Sequence, residues 1–135
     1  MQHTQHERKD RKPGSAVIEF TLLVTLVMLP LLVGAADFAL YINARHIVAR
    51  AANEGIMLAV QGKDPAPQVL EFLSRAGLSP SKASVSLNAS DTVPVTGTRM
   101  TLTTVYEVEG LIAAPFVPAL ERLTQVTVTA VGRHT

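Results

Sequence analysis

The chain has 135 residues, 47% of them apolar, and a formal net charge of +1. That length suits one small domain, the apolar share is high for a soluble one, and the near-neutral balance leaves no basic surface of the kind nucleic acid requires. There is no cysteine, which excludes disulfides and thiolate metal sites.

The first fourteen residues, MQHTQHERKDRKPG, set Arg8, Lys9, Arg11 and Lys12 against Glu7 and Asp10, a net of +2. Short basic flanks are retained in the cytoplasm, so the amino terminus is expected inside and the carboxyl-terminal part outside the inner membrane. The four cations then serve as a topology signal. Residues 20–36, FTLLVTLVMLPLLVGAA, follow with no charge, and SAVI before Glu19 extends the apolar run to 22 positions, 15–36. About 20 residues span a bilayer core as a helix.

A basic start before an apolar run fits a removed signal peptide or a retained anchor. Each has a cut site here. Gly34-Ala35-Ala36 is a small-residue run that signal peptidase would accept, releasing a domain that starts at Asp37. Gly14, at the other end, stands between the leader and the apolar run, with Glu19 five residues on. For a signal peptide Glu19 is only a weakness. For an anchor cut after Gly14 it has a role: the new amino group on Ser15 is protonated near neutral pH, and a carboxylate in a spanning helix wants a partner. An ammonium on a neighbouring copy, offset along the axis, supplies one. The plainer alternative is that Glu19 snorkels to the headgroups.

Together, KPGSAVIEF at 12–20, the apolar helix, the Asp37-Phe38 pair and ARAANEGI at 49–56 resemble the prepilin signature, and most closely the TadE-like minor pseudopilins of the Tad (tight adherence) type IV pilus system. The resemblance covers about the first 45 residues after Gly14. It implies that Gly14 is the last leader residue read by a prepilin peptidase, Ser15 the mature first residue, and Glu19 with Phe20 the pair used in subunit registration. It implies as partners the prepilin peptidase, other pilin or pseudopilin subunits through the amino-terminal helix, an inner-membrane assembly platform and the bilayer, with incorporation into an extracellular pilus open.

Beyond the anchor, DFALYINARHIVARAANEGIMLAV has no proline and much alanine, so the helix is expected to continue to about Val60, with a kink possible at Pro30 and Gly34. Phe38, Tyr41, Ile42, Val48 and Ala52 form the expected apolar stripe, with Arg45, Arg50 and Asn53 off it. Gly62 ends the helix, and KDPAP at 63–67 reads as a linker. Asp64 is placed to cap a short second helix whose apolar face is Val69, Leu70, Phe72 and Leu73, and Gly77 to stop it. The period then changes to two. Val85 and Leu87, then Met100, Leu102, Tyr106 and Val108, then Val126, Val128 and Ala130 predict three antiparallel strands. Residues 86–98 read as a mobile loop. Residues 110–121, with Leu111, Ile112, Phe116, Val117 and Leu120, read as an apolar connection that closes the core, or meets another subunit or the membrane surface.

The expected fold is therefore α+β: a long, partly transmembrane helix, a short second helix and a small antiparallel sheet in a pilin-like lollipop. Its parts are a leader at 1–14, an assembly helix at 15–36, the outer half of the helix at 37–62 and an exported globular part at 63–135. Chemistry is sparse. His3, His6, His46 and His134 are not spaced as ligands, Glu107 and Glu109 sit on alternate strand positions as a solvated face, and neither a phosphate loop nor a nucleophile elbow occurs. No catalytic, cofactor or metal residues are assigned, and an enzyme is not expected. The leading expectation is a membrane-anchored pilin-like subunit. Its alternatives are a small secreted binding domain released after Ala36 and an untrimmed single-pass accessory protein.

Overall fold

The computed structural model of the chain describes residues 13–90, 95–108, 110–111 and 124–134. The first helix, α1, is Pro13–Ala59, 47 residues long. Proline is well placed at its first turn, where the missing N–H has no intrahelical partner to lose. Pro30 lies inside the helix, which continues unbroken through it and through Gly34. Thr25 turns its hydroxyl back onto the Thr21 carbonyl at 2.8 Å, so this polar group is satisfied within its own helix.

Above residue 36 one stripe of α1 is buried: Asp37, Ala44, Val48, Ala51, Ala52, Ile56 and Ala59, with Tyr41 half-buried. The steps of three and four follow one side of a 3.6-residue helix. Arg45, Arg50 and Asn53 are exposed, as the periodicity predicts, but Phe38 is not part of the stripe. It is 54% exposed, and its neighbour Asp37, at 2%, takes the inward position.

Both helices end in the same way. Gly62 has φ +76, the Gly62 N–H donates to the Ala59 carbonyl and the Lys63 N–H to that of Leu58. The second helix, α2, Ala66–Arg75, repeats the pattern with Gly77 at φ +83, Gly77 N–H to Ser74 O and Leu78 N–H to Leu73 O. These are Schellman closures, and a left-handed residue is needed in each. Asp64 accepts from the Ala66 N–H at 3.0 Å, which holds the start of α2. Val69 and Leu73 are buried against the core and Phe72 packs at its margin.

A 3-10 turn, Pro80–Lys82, leads into β1, Ala83–Ala89, followed by β2, Arg99–Glu107, and β3, Gln125–Arg133. The three form an antiparallel meander in the order β1-β2-β3. Residues 86–89 are strand, not loop, because Ser86, Leu87 and Asn88 continue the ladder opposite Thr103, Leu102 and Thr101. The inner face holds Met100, Leu102, Tyr106, Val126 and Ala130. Thr104 occupies one inner position between Val85 and Val128, fully buried, and its hydroxyl has no hydrogen-bond partner. The leader residues 1–12, Glu109 and residues 112–121 of the apolar connection lie outside the described residues.

Two glycines set how close the layers come. A Cβ on Gly55 would stand 2.5 Å from Val69 Cγ2 and 2.7 Å from Leu102 Cδ2, and one on Gly132 would stand 2.6 Å from Val60 Cγ1. Hence α1 touches α2 and β2 at Gly55 and β3 at Gly132. The His134 ring pins the same end of the domain, its Nδ1–H donating to the Val60 carbonyl at 2.7 Å. At the other end, a Cβ on Gly110 would stand 4.0 Å from Leu40 Cδ1. The strands therefore run lengthwise along α1, β3 in its direction and β2 against it.

Gly55→Ala should destabilise the domain by about 1–3 kcal/mol, because Val69 is stiff and cannot swing clear. Thr104→Val should instead raise stability by about 1 kcal/mol, since it removes a buried, unpaired hydroxyl. Chemical-denaturation midpoints in detergent, followed through Tyr41 and Tyr106, check both signs.

Candidate functional site

The amino-terminal half of α1 stands outside the domain. Every described side chain from 14 to 32 is exposed, Val33 and Gly34 only partly covered. Val17, Ile18, Phe20, Leu22, Leu23, Leu26, Leu29, Leu31 and Leu32 are each more than half exposed. A helix apolar on all sides needs an apolar surrounding. None of its most apolar stretch is buried, and the helix is long and apolar enough to cross a membrane.

Glu19 is exposed within that sleeve and, among the described residues, has no hydrogen bond or ion pair. Ser15 lies one turn before it, on the same helix face. Gly14 is already inside the first helical turn, with nothing within 4 Å of where its Cβ would be. The helix thus begins two residues ahead of the expected start at Ser15. Phe20 is 69% exposed, one position round from Glu19. The structure leaves all four positions open and brings none of them against the domain.

One relation was not drawn from the sequence. Glu19 and Asp37 are 18 residues apart, which in an α-helix is five whole turns and about 27 Å. The two carboxylates therefore share one side of α1 and bracket the uncharged run, at a separation close to the ~30 Å of a bilayer core. Asp37 faces the domain, so Glu19 lies on the domain's side of the rod. The period of the helix, applied to the two acidic residues, would have found this.

Other candidate chemistry stays dispersed. Among the described residues no three His, Asp or Glu side chains come together to hold a metal. His46 is exposed, His134 is engaged with Val60, and His3 and His6 lie outside the described residues. Glu107 is exposed on the outer sheet face, 3.9 Å from Lys82, a solvated pair. A cleft between the α1–α2 junction and β1 is lined by Lys63, Asp64, Val85, Leu87 and Met100 among others and holds no nucleophile beside a base. Sequence reasoning also missed Gly55 as a packing position. A glycine in an alanine-rich helix costs about 1 kcal/mol, and that cost was the available signal.

Residues 14–56 match the model of the family described as TadE-like protein. The matched segment covers both the exposed apolar sleeve and the spine of the domain as far as Ile56. No curated protein and no solved structure matches the chain.

Proposed function

We propose that the chain is a minor pilin or pseudopilin of a Tad-type type IV pilus system, a structural subunit and not a catalyst. What carries the proposal is the coincidence of the TadE-like match with a helix whose apolar half lies outside the fold and bears one unpartnered acid, Glu19. A small secreted domain would have no use for α1 as a continuous spine. Release after Ala36 would cut that helix at the bond before Asp37, where it starts to pack against the domain.

The chain inserts with its amino terminus in the cytoplasm and its domain on the far side of the inner membrane. A prepilin peptidase removes the leader after Gly14, leaving an ammonium on Ser15. In a neighbour displaced by four residues, about 6 Å along the axis, Glu19 meets that ammonium. The pair is worth forming because each charge alone is costly among lipid tails. Phe20 adds apolar area beside it, and the assembled subunits serve pilus biogenesis and adhesion.

Amino-terminal sequencing and intact mass of the membrane-extracted protein should give a start at Ser15, and a soluble product starting at Asp37 would overturn the proposal. Replacing Gly14 by a bulky residue should abolish trimming and leave the full-length mass. Glu19→Ala should leave insertion unchanged and reduce pilus assembly by an order of magnitude or more; unchanged assembly would remove Glu19 from registration.

A further inference from the structure

Both outer edges of the sheet are open. Among the described residues, the backbones of β1, past Ala83, and of β3 have no hydrogen bond beyond the ladders to β2. Edges of this kind are normally guarded by charges, prolines or bulges. Here β1, ASVSLNA, has no charge and no proline, and β3, QVTVTAVGR, has one charge, Arg133, at its very end. The two edges also run in the same direction, because each is antiparallel to β2.

Their orientation decides what can pair with them. The strands lie lengthwise along α1, with Gly132 over Val60 and Gly110 beside Leu40, so the sheet edges face sideways from the rod. Copies anchored through α1 in one membrane share the direction of that helix; this step rests on the anchored reading above. A β1-to-β1 antiparallel contact would need a two-fold axis through the sheet and would point the two anchors in opposite directions. What remains for copies standing side by side is β3 of one against β1 of the next, in parallel.

We infer that a second copy of this chain occupies each sheet edge, β3 of one subunit pairing in parallel with β1 of its neighbour. The contact is heterologous: each copy offers one edge of each kind, and the row does not close on itself by a two-fold. Backbone N–H and C=O groups supply the attraction, as in strand addition generally, while the small side chains of Ser84, Ser86, Thr127 and Thr129 let the strands approach without a clash of charges.

The absence of cysteine makes a clean test. Ser86 and Thr129 lie in one row, on either side of Thr103. They are two strand spacings apart, about 9.6 Å, beyond the ~7 Å Cα separation a disulfide can span, so they cannot be joined within one chain. The full-length double variant Ser86→Cys with Thr129→Cys, oxidised in membranes, should give a ladder of dimers, trimers and longer species. Either single variant should give several-fold less cross-linking and no species beyond the dimer. Pairing Thr129→Cys with Ser84→Cys or Asn88→Cys covers a stagger of one row, and a ladder from either supports the inference equally.

No ladder from any of the three double variants, with the chain retained in carbonate-washed membranes, overturns the edge pairing and leaves the anchored reading standing. Dimers from the Ser86→Cys variant alone as strong as those of the double variant overturn it in favour of a two-fold contact. Loss of the chain from the washed membranes overturns the anchored reading and the inference with it.

Discussion

The domain depends on how closely a sheet and a short helix can approach one face of α1. That face is made of small residues, Ala44, Ala51, Ala52, Gly55 and Ala59, interleaved with Val48 and Ile56. On the sheet side Gly132 answers them, and its missing Cβ is what admits Val60 and Ile56. Larger residues, Leu102, Tyr106, Val126, Val69 and Leu73, then fill the space from the opposite side. Small against large is what lets a layer this thin reach interior packing density. The cost is paid in helix propensity at Gly55, a glycine in mid-helix.

This constraint also explains why the domain has no separate hinge to its anchor. The residues that receive the sheet belong to the same helix that carries the apolar sleeve, so the boundary at Asp37 is a change of surroundings and not a break in the chain. Below it the side chains face outward on all sides. Above it only one stripe is covered, and the opposite side, with Arg45, Arg50 and Asn53, stays in water. The polar groups left below the boundary are few, and one of them, the Thr25 hydroxyl, is satisfied locally. Glu19, by contrast, is exposed and has no hydrogen bond or ion pair among the described residues.

Much of this architecture could be read in the sequence, because its strongest signals are local. Charge-free length marked the candidate membrane span, Gly62 and Gly77 marked the two helix ends through their left-handed backbone, and a period of two marked the strands. What was not legible depends on contacts distant along the chain. The stripe on α1 was right at Tyr41, Val48 and Ala52 but was begun one residue late, on Phe38 instead of Asp37, because hydrophobicity alone cannot tell that a carboxylate turns inward. Serine and asparagine at 86 and 88 suggested a loop, yet on an exposed strand face small polar side chains cost little. Of the candidate site, Gly14, Ser15, Glu19 and Phe20 were singled out by pattern alone, whereas the alignment of Glu19 with the domain side required knowing which side the domain takes.

That single unbroken rod ties the domain's heading to the anchor's length. Each residue of an α-helix turns the chain by about 100° and lifts it by about 1.5 Å. One residue added between Glu19 and Asp37 would barely raise the domain, yet it would swing the sheet about a quarter-turn around the anchor, to face another neighbour. Only spacings near whole turns, such as 7, 11 or 18 residues, return to nearly the same compass bearing. Bilayer thickness admits a narrow range of lengths, and from that range the angular phase selects. The span of 18 meets both demands, so the apolar half of α1 sets the domain's compass bearing as well as its height.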